Sequence, residues 1–187
     1  MSFFVDTTYR TNQEEIMDDF SLTGATLDNT LDTLAVINKW LGGNQVTCSG
    51  LKKILKDQPK DKEITIIDLG CGGGDNLRSI RKWFRSNDKK VRLIGIDGNK
   101  NSLEYAKKHN IPVTATAMGI GCMTKDDPYY IGGIGGLGEK SANNLSKETD
   151  LALAIGTKLA DFTTGSWANF ESDNFQLVSL NAARFDT

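Results

Sequence analysis

The chain has 187 residues, 25% of them charged and 39% hydrophobic, with a net charge of -2. That length supports one domain with a real core plus a small extension, and the balanced charge argues against a nucleic-acid or anionic-membrane partner. No apolar run reaches the ~18 residues of a bilayer span, and "MSFFVDTTYRTNQEE" has neither the basic start nor the apolar stretch of an export signal, so a cytoplasmic location is expected.

The first sixty residues read as helical. Leu27, Leu31, Leu34, Ile37 and Leu41 recur at steps of three and four, an amphipathic stripe that ends at Gly42-Gly43. A shorter helix carries Leu51, Ile54 and Leu55, and "KDQPKDKE" is a polar connector. "ITIIDLG" (64–70) is a continuous apolar run closed by glycine, the pattern of a strand buried on both faces. A helix over 76–86 follows, with Leu77, Ile80 and Phe84 on one face. Its end, "RKWFRSNDKK", reads as buried Trp83 and Phe84 beside solvated cations, in preference to a nucleic-acid surface.

The alternation continues with a strand at 91–97, a helix at 101–110, a strand at 111–116, a short "YYIGG", a helix in "SANNLSKET", and strands at 151–156 and 175–180. Strands alternating with helices at this spacing predict an α/β fold, a Rossmann-like doubly wound parallel sheet, here behind an N-terminal helical cap. The expected division is a cap over 1–60 and one α/β domain over 61–187. Cys48, Cys71 and Cys122 are odd in number and far apart, so they read as reduced thiols. With His109 the single histidine and no C-x-x-C, no metal site is expected.

Two glycine clusters stand out. Asp68, Gly70, Cys71, Gly72 and Gly74 lie between a strand and a helix, where glycines let the backbone turn sharply and let a ligand come close. The helix start beyond them offers unsatisfied N–H groups to acceptor atoms. Asp97, followed by Gly98, ends the next strand, where a carboxylate can accept both hydroxyls of a ribose. Cys71 reads as a small loop residue, and His109 as a capping or surface residue ahead of a general base. The second cluster, Gly133, Gly135 and Gly138, fits G-x-G-x-x-G. It reads first as a packing turn and second as a phosphate cradle for a flavin or adenine nucleotide.

At "ITIIDLGCGGGDN…LIGIDGN" the chain resembles motifs I and II of the class I S-adenosylmethionine (SAM)-dependent methyltransferases. "YRTNQEEIMDDFSLTG…INKWLGGNQVT" is similar to the helical cap of a bacterial subgroup of them. The resemblance covers about residues 1–110. It implies that the Gly70–Gly74 loop meets the amino-acid end of SAM, that Asp97 binds the ribose, and that Asp68 contacts the ligand or braces the loop. Met118, Gly119 and Ile120 stand where that family has a polar adenine contact.

From about residue 105 onward, "HNIPVTATAMGIG…DDP…GGIGGLGEKSANN…ETDLALAIGTKLADFTTGSWANF…FQLVSLNAARFD" resembles the middle domain of thiamine-diphosphate enzymes. "DFTTGSW" is most similar to the trihydroxycyclohexanedione hydrolases of inositol catabolism. That middle domain is chiefly architectural. The parts that hold thiamine diphosphate in those enzymes are not expected here, and Asn143-Asn144 has no G-D-G upstream to complete a metal motif.

The expected molecule is thus a chimera-like chain with its family junction near 105–111. Both resemblances imply the strand order 3-2-1-4-5 for five strands. The expected ligand is a small nucleotide-like molecule, SAM first, and the alternative is a non-catalytic middle-domain-like module or a scaffold without ligand. Binding is expected ahead of methyl transfer, because the acceptor pocket of methyltransferases comes from later strands that this chain has replaced. Asp161, Thr163, Thr164 and Trp167 follow "LALAIG" at the sheet edge and read as a covering loop ahead of ligand contacts.

Overall fold

A computed structural model describes residues 19–119, 123–124, 126–157, 159, 164–166 and 168–180. The elements in chain order are α1 (Gly24–Trp40), α2 (Gly43–Ile54), β1 (Ile64–Leu69), α3 (Asp75–Ser86), β2 (Val91–Asp97) and α4 (Lys100–Lys108). They continue with β3 (Val113–Ala115), a single 3-10 turn (Ala117–Gly119), β4 (Tyr130–Gly133), α5 (Lys140–Lys147), β5 (Leu151–Ile155) and β6 (Gln176–Leu180). The six strands form one sheet in the order β4-β3-β2-β1-β5-β6, and every neighbouring pair is parallel.

The neighbours expected for five strands are all present, but the order is not 3-2-1-4-5. The short "YYIGG" segment adds a sixth strand, β4, outside β3. Two glycines weaken its strand propensity, and its pairing slips between Val113 and Thr114.

Side-chain alternation along the strands builds both faces of the core. Ile64 and Ile66 of β1 join Leu77, Ile80, Phe84, Leu103, Leu151 and Leu153 on one face. Ile67 and Leu69 join Ile94, Ile96, Ala152 and Ala154 on the other. All six residues of β1 are buried, which is why it reads as an unbroken apolar run. Asp150 clasps the sheet below β1 and β5: it accepts a hydrogen bond from the Thr65 N–H at 2.9 Å and pairs with Lys62 at 2.9 Å.

The stripe on α1 is only half buried. Leu27 and Leu31 pack with Tyr105 of α4, whereas Leu34, Ile37 and Leu41 are exposed. The packed half is reinforced by polar contacts to α4, with the Tyr105 hydroxyl donating to Asp32 and Lys108 pairing with Asp28 at 3.0 Å. The second half of α1 passes beside the C-terminal edge of the sheet. There Leu34 and Asn38 wall a cavity. No described helix is long and apolar enough to cross a membrane.

Candidate functional site

The first glycine loop leaves β1 at its C-terminal end and enters α3 through Gly74, whose left-handed backbone forms the helix N-cap. Gly70 is the position that needs glycine most. Its φ is +76°, and a Cβ there would stand 2.9 Å from the Thr157 Cβ, so the loop passes flush against the chain leaving β5. Asn38 of α1 donates to the Asp75 carboxylate at 3.0 Å and ties the cap to the start of α3.

Asp97 closes the loop from the other side. The Gly72 N–H donates to one carboxylate oxygen and the Asn99 N–H to the other, each at 2.8 Å. Burial pushes the Asp97 carboxyl up from its ordinary range, opposed by N–H donors from Asn99, Gly72 and Gly98. Asp68 is 3% exposed, and burial pushes it up to about 7. The Asn76 amide, donating from 3.5 Å, pulls it down, and the nearby Asp75 and Asp97 push it further up. Cys71 is buried with its sulfur against Gly95, and burial holds its thiol well above the ordinary value. It is a neutral packing group.

Two cavities flank this loop at the C-terminal edge of the sheet. One of about 390 Å³ is lined by Gly70, Cys71, Gly72, Gly73, Asp97, Asn99, Ser102 and Thr157, and roofed by Leu31, Leu34 and Asn38. The other, about 260 Å³, lies on the β5 side and includes Asp68, Asn76, Asn44, Thr47, Ile155 and Leu180. Asn38, Gly70, Cys71 and Asp75 border both. The structure therefore gathers Asp68, Gly70, Cys71, Gly72 and Asp97 around joined spaces. Gly74 and Gly98 line neither; Gly74 is packed against Ile111 and Ala106.

Asn99 and Ser102 are site residues that sequence reasoning missed. Asn99 caps α4, its side-chain oxygen accepting from the Asn101 N–H at 2.9 Å and the Ser102 N–H at 3.4 Å. Its Nδ2 and the Ser102 Oγ are buried with no hydrogen-bond partner among the described residues, and both side chains line the larger cavity. Buried polar atoms of this kind are costly unless something bonds to them. The readable signal was "DGNKNS" itself, a polar helix start immediately after the acidic strand end.

The second glycine loop closes on itself. The Gly135 N–H donates to the Asn143 side chain at 3.1 Å, the Asn143 amide returns a bond to Gly135 O at 3.0 Å, and the Glu139 N–H donates to Gly133 O at 2.7 Å. Those contacts consume groups that would have cradled a phosphate. A Cβ at Gly138 would stand 2.7 Å from Gly133 O and 2.8 Å from Gly135 N, both backbone atoms that cannot step aside. Gly138→Ala is expected to cost about 2 kcal/mol and to lower Tm by about 4–8 °C. A thermal melt unchanged from wild type would contradict this packing role.

His109 is the C-cap of α4 and lies against Tyr105, ring centroids 4.8 Å apart. Its pKa is lowered by burial first and by the neighbouring Arg78 second. Trp83 is half-buried and meets the buried Phe84 edge-on at 5.0 Å. Thr164 is buried, whereas Asp161, Thr163, Trp167, Ile120 and Cys122 lie outside the described residues. The Ala117–Gly119 turn lies against the backbone of Asp97 and Gly98. Among the described residues no cluster of three His, Cys, Asp or Glu side chains could hold a metal ion.

Sheet, loop and strand-end acid together define a Rossmann-like α/β protein with a cleft at the C-terminal edge. The chain belongs to the family of the thiamine pyrophosphate enzyme central domain, whose model matches residues 77–186, more than half of its length. It is 35% identical over 82 residues to the 3D-(3,5/4)-trihydroxycyclohexane-1,2-dione hydrolase of Clostridium botulinum (strain Alaska E43 / Type E3), covering 44% of this chain and 13% of that one. The hydrolase of the same name from Geobacillus thermodenitrificans (strain NG80-2) is 32% identical over 117 residues, covering 59% and 18%. The chain thus spans less than a fifth of the length of these curated relatives. Among solved structures it is similar to the DszA carbon methyltransferase, with a TM-score of 0.54 and 16% identity over 83% of this chain and 40% of that one. That likeness is one of fold.

Proposed function

We propose that the chain is a methyltransferase-like SAM-binding domain, in which a cap and first glycine loop of one lineage are joined near residues 105–111 to a thiamine-enzyme middle-domain half. The observation that carries the reading is one cavity of about 390 Å³ bordered by Gly70, Gly72, Asp97 and the two unpartnered polar groups, Asn99 Nδ2 and Ser102 Oγ. The family match reaches back to residue 77, across α3 and β2, elements that both parent folds contain.

The residues present fit a nucleoside. An ionised carboxylate has about four lone-pair sites, and two N–H groups at 2.8 Å leave Asp97 with capacity for ribose hydroxyls. Asn99 Nδ2 supplies a donor, and Ser102 Oγ a donor or acceptor, facing the same space. Gly70 and Gly72 allow close approach, and Asp68 and Cys71 border the adjoining space for the amino-acid end. When bound, SAM supplies an electrophilic methyl group. This chain's own residues would position the ligand and shield it from water, since methyl transfer depends mainly on in-line placement of two reactants.

Calorimetric titration with SAM tests the reading. Wild type is expected to bind at micromolar Kd. Asp97→Ala is expected to weaken binding at least 30-fold, about 2 kcal/mol, and Ser102→Ala, which leaves the loop braces intact, several-fold. The family membership favours a second reading, a non-catalytic architectural module without ligand. Absence of binding heat with correctly folded wild type would sink the first reading and support the second.

A further inference from the structure

Carboxyl groups converge on the joined cavities without any cation to offset them. Asp97 borders the larger space, Asp68 the smaller, and Asp75 both, while no lysine or arginine lines either one. The nearest guanidinium on α3, Arg78, donates to Gly73 O at 3.3 Å and faces a different space beside Asp75. An acidic cluster alone could be a solvated edge. Here the same larger cavity also holds the unpartnered Asn99 Nδ2 and Ser102 Oγ, on residues that are 3% and 0% exposed.

Asp68 is the least compensated of the three carboxyls. Its one hydrogen bond among the described residues comes from Asn76 at the long distance of 3.5 Å, and the Oδ1 of that same Asn76 is itself without a partner. The elements packed around Asp68 bring no positive charge toward it. From α3 come Asp75 and Asn76, from β2 Asp97, and from the loop the neutral Cys71 thiol. The α2, β5 and β6 side of its cavity contributes uncharged side chains only.

We propose that the two cavities form one site for a cationic nucleoside, and that loading requires Asp68 to give up its proton, so that occupancy is switched by pH near neutrality. This rests on the nucleoside-binding reading above and adds to it the charge class of the ligand and a proton linkage. The O–H bond of the Asp68 carboxyl breaks, the proton passes to buffer, and the resulting carboxylate faces the ligand's positive charge across the smaller cavity. Burial alone keeps Asp68 protonated up to about pH 7, and a cation beside it stabilises the ionised form. A neutral nucleoside supplies no such compensation.

The probes are SAM and uncharged adenosine, titrated calorimetrically at pH 6.0 and 7.5 in buffers of different ionisation enthalpy. With Asp68 titrating at about 7, SAM affinity is expected to rise roughly eightfold between these pH values, with about nine-tenths of a proton released per SAM at pH 6.0. Adenosine affinity is expected to change less than about twofold, and Asp68→Asn is expected to abolish the pH dependence for SAM. If SAM binds with no proton release, or if adenosine shows the same dependence, the proton linkage is overturned while nucleoside binding stands. If neither ligand binds at either pH, the nucleoside reading itself fails and takes this inference with it. The wild-type proton count decides the matter even should the variant fold poorly.

Discussion

Asp68→Asn is expected to stabilise the protein at pH 8 by roughly 3–4 kcal/mol and to leave it almost unchanged at pH 4. The carboxyl is buried on the face of β1 that carries Ile64 and Ile66, and burial raises it from 3.8 to about 7. A folded-state pKa above the unfolded one favours folding when the group is protonated. That contribution is complete below the unfolded value near 4 and is lost as pH rises through about 7. Above neutrality the wild type must either hold a buried carboxylate or unfold, whereas asparagine stays neutral and keeps an acceptor for Asn76. Urea midpoints measured at pH 4 and pH 8 check the sign. A variant no more stable than wild type at pH 8 would show that Asp68 is solvated or paired in solution. The gain on removing a charge would also identify Asp68 as a residue kept at a cost to stability, as binding sites often are.

Phe84→Ala is expected to cost about 3–5 kcal/mol, the range for deleting a fully buried aromatic ring. Phe84 is 0% exposed in a cluster that takes Leu51 and Leu55 from the cap side, Ile66 and Leu93 from the first strands, and Leu151 and Leu153 from β5. The cavity left behind therefore touches every part of the sheet's helical face at once. Far-ultraviolet circular dichroism and the fluorescence of Trp83, which sits edge-on to Phe84, should fall together at a Tm lowered by about 10 °C. Two separated transitions would mean that the cap and the later strands melt independently, contrary to this shared core.

Much of the sheet was legible because its strands are buried on both faces, so that β1 and β5 appear as runs such as "ITII" and "LALA" bounded by glycine. The first loop was legible because left-handed turns at Gly70, Gly72 and Gly74 leave a sequence trace. Other features leave weaker traces. β4 is built on "YIGG", a poor strand sequence that pairs only because β3 offers it an open edge. The stripe on α1 has the period of a buried face, yet periodicity does not tell how far along a helix its partner extends, and α4 covers only the first half. Asn99 reads as a helix cap, and it is one. That its other amide end is left unpaired inside a cavity follows from where α4 sits against β2, which no local pattern encodes.

The central place of β1 has a consequence for biogenesis. One edge of it is covered by β2, which follows closely, and the other by β5, which is synthesised much later. A nascent chain emerging from a ribosome therefore presents a row of open peptide groups along Ile66–Leu69 until Leu151–Ile155 arrives to cover them. Whatever the ancestry of its two ends, neither can finish folding before the other exists.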